Sequence, residues 1–252
     1  MKEMTLRKKL KHRLFGRTSK VQKGFYPLAR TCQIPNLSFL YEQYFGRRRN
    51  GSFVEVGAFD GEYASNTSGL ADVGWKGLYV EPVPEFFEKC RTRHKKNAGV
   101  QVINTAVGDS EGQLSIHVGG PLSTASDNML ENFRSLAWAS ACFRRKQSLT
   151  VRMTTLERVL KHAGIFPGFE VMVLDVEGFE WNVLRNFDIA KWSPQMVIIE
   201  LHDQNDDYFA IREECNSIVV YFDDADYKVI WKDFSNTIYV PRNRFPLPIN
   251  AR

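Results

Sequence analysis

The chain has 252 residues, 43% hydrophobic and 13% aromatic, enough apolar material for a sizeable core, which excludes global disorder. No apolar run approaches the roughly 18 residues of a membrane-spanning helix. The N-terminus lacks the apolar core of a secretory signal, so a cytoplasmic protein is expected. The net charge of +5 sits unevenly: residues 1–30 carry ten Lys or Arg against the single acid Glu3, and the remaining 222 residues sum to −4. Basic surface is therefore not spread over the fold, which speaks against a general nucleic-acid binder.

Residues 1–24 read as a basic leader. Leu6, Leu10 and Leu14 fall at i, i+4 and i+8, so a short helix with one apolar stripe is predicted. Such a helix could touch a membrane surface or nucleic acid, or serve as a mitochondrial presequence. A frayed or docked first helix is the plainer reading. Residues 25–50 add an aromatic-rich helix over Leu37–Phe45, and residues 1–50 are taken as leader and helical extension to a domain over 51–245. Cys32, Cys90, Cys142 and Cys215 show no C-x-x-C pair and are expected as reduced, mostly buried thiols.

From Ser52 onward short apolar runs alternate with amphipathic stretches. Strands are predicted at 52–58, 77–81, 100–107, 113–118, 149–153, 170–176 and 196–201. Helices are predicted at 65–73, 84–97, 155–161, 180–187 and 208–220. Two last strands at 228–234 and 237–240 flank Ser235-Asn236, a hairpin signal. The pattern implies an α/β fold: a doubly wound, mostly parallel sheet covered on both faces, with the terminal hairpin adding one antiparallel strand.

Three groups of residues carry chemistry. The turn Glu55-Val56-Gly57-Ala58-Phe59-Asp60-Gly61 closes the first sheet strand, where open α/β sheets bind ligands. Its glycines permit positive φ and close backbone approach. The spacing is G-x-x-x-G rather than the dinucleotide fingerprint, and an ordinary strand–turn–helix connection reads equally well. Glu81 ends the second strand, where an acid can accept both hydroxyls of a ribose. Asp175 and Glu177 follow Val171 and Val173 at period two on one face of a predicted strand, and Glu200 and His202 follow Ile198 on the next. Parallel neighbours lie about 4.8 Å apart, so these side chains could converge beyond one sheet edge. Carboxylates gathered there call for a proton, a cation or a substrate partner; solvated strand ends are the alternative.

The segments FVEVGAFDG (53–61), YVEPVPEFF (79–87), NTAVGDSEGQLSIHV (104–118), TTLERVL (154–160), LDVEGFEWNVL (174–184) and IIELH (198–202) give the chain a resemblance to the FkbM-type methyltransferases. These form a branch of the class I S-adenosylmethionine-dependent enzymes. The resemblance implies a Rossmann-like, seven-stranded class I fold and O-methyl transfer, commonly onto sugar hydroxyls or related small molecules. It implies that Glu55, Gly57 and Gly61 line the methionine end of S-adenosylmethionine, that Glu81 takes the ribose, and that Ala106 and Val107 flank the adenine, with Asp109 nearby. Asp175 is implied near the sulfonium, and Ser65 and Asn66 as further contacts. His202 or Glu177 is the candidate base. Asp175 and Glu200 stand where some related O-methyltransferases bind a divalent cation such as Mg or Mn. Glu180 is read as capping the start of its helix. The stretch 119–148, with Ser123, Thr124, Phe133, Trp138 and Phe143, is read as a lid or acceptor-recognition segment whose aromatics mostly serve the core. The expected acceptor is a small molecule or glycan; RNA methylation guided by the leader, and a non-catalytic scaffold, are the alternatives.

Overall fold

The apolar runs of the sequence become the buried strands of a seven-stranded sheet. The computed structural model describes residues 24–145 and 147–244, so the predicted leader helix, with any membrane or nucleic-acid contact it makes, lies outside the described residues. In chain order the elements are α1 (Leu37–Phe45), β1 (Ser52–Val56), α2 (Ser68–Asp72), β2 (Lys76–Val80), α3 (Pro84–His94), β3 (Val100–Ile103), β4 (Ala106–Gly108), β5 (Gly112–His117) and α4 (Asp127–Ser135). There follow β6 (Ser148–Thr155), α5 (Leu156–His162), β7 (Val171–Leu174), α6 (Glu180–Leu184), α7 (Ile189–Trp192), β8 (Met196–Glu200), α8 (Arg212–Asp224), β9 (Tyr227–Lys232) and β10 (Asn236–Pro241). Among the described residues no helix is long and apolar enough to cross a membrane.

The main sheet runs β3-β2-β1-β7-β8-β10-β9. All pairings from β3 to β8 are parallel, and β10 lies antiparallel to both β8 and β9. This is the class I methyltransferase order, with its single reversed strand. β1, β7 and β8 are buried on both faces, as parallel strands under helical layers must be. One side of the sheet packs Val54, Val56, Met172 and Leu174 with the helices of the C-terminal half. The other packs Phe53, Tyr79, Val171 and Val173 against Tyr26, Ile34, Leu37 and Tyr41. The extension over residues 25–50 therefore shares the core of the sheet. Tyr26 contributes an edge-on ring contact with Trp75 and a hydroxyl donating to Gly46 O at 2.6 Å.

Three of the differences from the predicted elements stand out. The strand expected over 100–107 breaks at Asn104-Thr105, and its second half, β4, leaves the main sheet. β4 pairs instead with β6, which also pairs antiparallel with β5, giving a separate three-stranded sheet β4-β6-β5. Asn104 Nδ2 holds the break by donating to the carbonyls of Glu81 and Pro82 at 2.9 and 3.0 Å. The helix predicted from 208 starts as a 3-10 turn over Asp206–Ile211 with a kink at Tyr208, and α8 begins at Arg212. The helix predicted over 65–73 is shorter because Ser65, Asn66 and Thr67 belong to a hydrogen-bonded loop.

Candidate active site

The strand order reverses between β1 and β7, and the crevice at such a point is where open α/β sheets bind ligands. A cleft opens there, bounded by Gly57, Glu81, Ala106, Val107, Asp175 and Glu177. β1 and β7 approach closely: Asp175 N donates to Val56 O at 3.1 Å. Gly57 sits at φ +87°, and a Cβ there would collide with the Asp175 carbonyl. The position therefore requires glycine.

Glu81 is the best-built acid of the cleft. Its Oε2 accepts from Phe59 N and its Oε1 from Val83 N, both at 2.8 Å. Each oxygen keeps a lone pair, as paired ribose hydroxyls need. Burial pushes its carboxyl up to about 7. The rest of that wall is apolar: Phe59 and Phe86, with ring centroids 4.5 Å apart, face the cleft together with Val83, Leu114 and Ile116. A flat purine needs such surfaces. Gly120, Pro121, Ser123 and Ala125, from the middle stretch read as a lid or acceptor-recognition segment, line the cleft too, and Phe59 comes from the predicted turn; Val83, Phe86, Leu114 and Ile116 went unrecognised in the sequence. The signal for Val83 and Phe86 lay in YVEPVPEFF, two and five residues past the acid. Leu114 and Ile116 were hidden because they depend on β5 folding over the switch point.

Other predicted residues stand behind the cleft rather than in it. The Glu55 carboxylate points into the loop after β1, where its Oε2 accepts from Ser65 Oγ at 3.1 Å and from Thr67 Oγ1. Burial raises it to about 7. Gly61, at φ +73°, packs on Cys90 and His94, and its carbonyl lies 2.9 Å from His94 Nε2. The Asn66 carbonyl accepts from Tyr41 OH at 3.0 Å. Asp109 is ion-paired with Arg185. Glu55, Gly61, Ser65 and Asn66 thus shape the turn from outside. Trp138 packs on the core beside Phe133, and Phe133 stacks on Phe143, so these aromatics serve packing. None of the three lines the cleft.

The four acid-cluster positions do converge. One carboxylate oxygen from each of Asp175, Glu177 and Glu200 lies within 4.8 Å of the others. β7 stops at Leu174, so Asp175 and Glu177 lie on the following loop, with Glu177 at φ +55° and Gly178 at φ +88°. The loop is held from both sides. Glu180 Oε1 accepts from Val176 N at 2.9 Å and Gly178 N at 3.3 Å, while Thr124 Oγ1 donates to Glu177 O at 2.7 Å. Burial first, and then Glu200, hold Asp175 and Glu177 well above the usual carboxylate range. His202 lies behind Glu200, its Nε2 3.4 Å from Glu200 Oε1, and its ring stacks on Tyr208 at 3.7 Å. Burial alone would lower the imidazole, but the Glu200 carboxylate outweighs it and the net shift is upward.

The residues present fit S-adenosylmethionine: Glu81 offers paired acceptors of the kind a ribose needs, the apolar wall suits a purine, and Asp175 lines the same cleft. Comparison with known proteins gives the family. No curated protein matches the chain. Among solved structures, monomeric WbdD is 14% identical over 85% of this chain and 42% of its own, with TM-score 0.45. The fibrillarin pre-rRNA processing protein of Methanococcus jannaschii is 12% identical over 77% and 68%, with TM-score 0.41. The precorrin-6y C5,15-methyltransferase of Geobacter metallireducens is 10% identical over 90% and 97%, with TM-score 0.40. The chain spans about 40% of the length of the WbdD chains. A model of the methyltransferase FkbM domain matches residues 55–229, more than half of the sequence and every acid discussed above; the chain belongs to the FkbM family of S-adenosylmethionine-dependent methyltransferases.

Proposed function

We propose that the protein methylates a hydroxyl group of a sugar or glycoconjugate. The observation that carries this reading is the acid group Asp175, Glu177 and Glu200 with His202 at the methyl-donor cleft. A neutral hydroxyl is a poor nucleophile and must lose its proton as it attacks, so an O-methyltransferase needs a proton acceptor at this spot. S-adenosylmethionine, when bound, supplies an electrophilic methyl group and leaves as a neutral thioether. Glu81 accepts the ribose hydroxyls, Asp175 faces the positive sulfur, and the apolar wall of Phe59, Val83 and Phe86 keeps water from the purine. Glu177 faces the cleft and His202 stands behind Glu200; one of them takes the acceptor's proton. Asp175 and Glu200 stay in this reading as candidate cation ligands. The four cysteines are unpaired, which suits a reducing compartment and supports a cytoplasmic reaction.

Titration calorimetry with S-adenosylmethionine tests the donor site. Binding in the wild type and its loss in Glu81→Ala are expected; no heat in the wild type, or equal heat in both, overturns the assignment. Release of the demethylated product with a panel of hydroxylated sugars then tests the acceptor class.

A further inference from the structure

We infer that the N-terminal extension completes the methyl-donor site, with Thr31 as its positioning residue. The inference deepens the methyl-donor reading and rests on it. The segment Phe59–Ala64 joins the cleft to the loop behind it. Both of its ends are non-glycine residues in the left-handed region, Phe59 at φ +48° and Ala64 at φ +57°. Backbone of this kind persists only where its surroundings over-determine it, and it gathers at ligand sites. Phe59 lines the cleft, and its N–H donates to Glu81 Oε2, the acid assigned to the ribose. At the other end Ala64 N donates to Thr31 Oγ1 at 2.8 Å. Between them Asp60 Oδ1 accepts from Glu62 N and Tyr63 N at 2.9 and 2.7 Å. One end of the strained segment is thus pinned by the donor site's own acid and the other by the extension.

The extension grips the rest of that loop as well. Tyr41 OH donates to Asn66 O at 3.0 Å, and Cys32 Sγ lies 3.7 Å from Asn66 Oδ1. A Cβ at Gly69 would collide with the Pro27 carbonyl, so the extension's backbone lies directly on α2. On its far side the extension has its own anchor: Tyr26, Ile34, Leu37 and Tyr41 are buried, and Gln33 Oε1 accepts from Asn236 Nδ2 of β10 at 2.9 Å. A side chain held on a rigid support can fix a ligand-facing loop. The family match begins at residue 55, so Thr31 and Tyr41 lie outside it. Without the Thr31 hydroxyl the Ala64 N–H loses its acceptor and the strained end is released. Phe59, and the N–H it gives to Glu81, then lose their fixed place.

The test compares the full chain with Thr31→Val and Thr31→Ser by calorimetry with S-adenosylmethionine, hydrogen exchange and thermal unfolding. Thr31→Val should bind the donor on the order of tenfold more weakly, the effect of leaving one N–H unpaired. Exchange should quicken over residues 59–67 while β7, β8 and the unfolding temperature stay as in the wild type. Thr31→Ser keeps the hydroxyl and should restore both affinity and protection. Wild-type affinity in Thr31→Val, no recovery in Thr31→Ser, or protection lost equally throughout the chain overturns the role of Thr31. Should Thr31→Val not fold, Tyr41→Phe, which frees the Asn66 carbonyl and keeps the ring, carries the same expectation and the same refutation. Donor binding that is equal in the wild type and Thr31→Val removes the positioning role alone, whereas no donor binding in the wild type removes the methyl-donor reading.

Discussion

Glu81 shows how one carboxylate can serve fold and ligand together. Its oxygens take the backbone N–H groups of Phe59 and Val83, so the side chain fixes the turn after β1 and the start of α3 while presenting lone pairs to the cleft. Glutamine at 81 therefore cannot act as a mild substitute. Its NH₂ would face one of those N–H groups, donor against donor, and a mispaired buried group costs on the order of 1–3 kcal/mol. Glu81→Gln should weaken S-adenosylmethionine binding at least tenfold in calorimetry, close to the effect of alanine. Retention of wild-type affinity in Glu81→Gln would mean that the carboxylate does not contact the donor. His202 separates from this effect because it lies outside the cleft lining. His202→Asn should leave donor affinity within twofold; a 10²- to 10⁴-fold fall in turnover, the ordinary contribution of a general base, assigns the acceptor's proton to His202, and an undiminished rate assigns it to Glu177. A matched fall in affinity and rate would instead make His202 structural.

The elements that position the site differ in how much of them local pattern reveals. α1 was legible to the residue, Leu37–Phe45, because an aromatic helical stretch ends at Gly46, which takes φ +71°. β1, β2 and β8 were legible because parallel strands buried on both faces read as continuous apolar runs. The convergence of Asp175, Glu177 and Glu200 followed from the parallel pairing of neighbouring strands. The lining from β5, and the burial of Glu55 behind the cleft, depend on tertiary packing that no local pattern reports. α4 went unseen although its signals are present: Ser126 Oγ caps it by accepting from Met129 N at 3.1 Å, and Met129, Leu130 and Phe133 form its buried face. This middle stretch acts on the site through Thr124, which forms a β-bridge with His117 and donates to the Glu177 carbonyl. Thr124→Val keeps the shape and deletes this bond together with the one its hydroxyl accepts from Ser126 N at 2.9 Å. It should cost about 1 kcal/mol in urea unfolding and lower the turnover rate several-fold with donor affinity unchanged. A stability loss with undiminished turnover would show that the bond supports the fold but not the acid loop.

At the scale of the whole molecule, the buried acids set how stability depends on pH. Burial raises Glu55, Glu81 and Glu180 each to about 7, whereas an unfolded glutamate titrates near 4.3. Between those values the folded chain holds protons that the unfolded chain has released, so stability falls as pH rises and levels off above pH 7. Glu42 and Asp72 are lowered, and the stability they contribute is lost only under more acidic conditions. His94 opposes the trend, because burial lowers its imidazole and its contribution grows as pH rises toward 6.5. Asp175, Glu177 and His202 are raised as well and act in the same direction as the three glutamates, so together they outweigh one lowered histidine and the ligand-free protein should be more stable to urea at pH 5.5 than at pH 8. Glu55 offers the cleanest dissection, since it does not line the cleft and its carboxylate meets only Ser65 and Thr67 in hydrogen bonds. Glu55→Gln removes its titration and should shrink the difference between the two pH values by a part of the roughly 3 kcal/mol that a shift of this size represents. An unchanged difference in that variant would mean that Glu55 is already ionised in the folded chain, with Ser65 and Thr67 supplying enough hydrogen bonding to hold the charge.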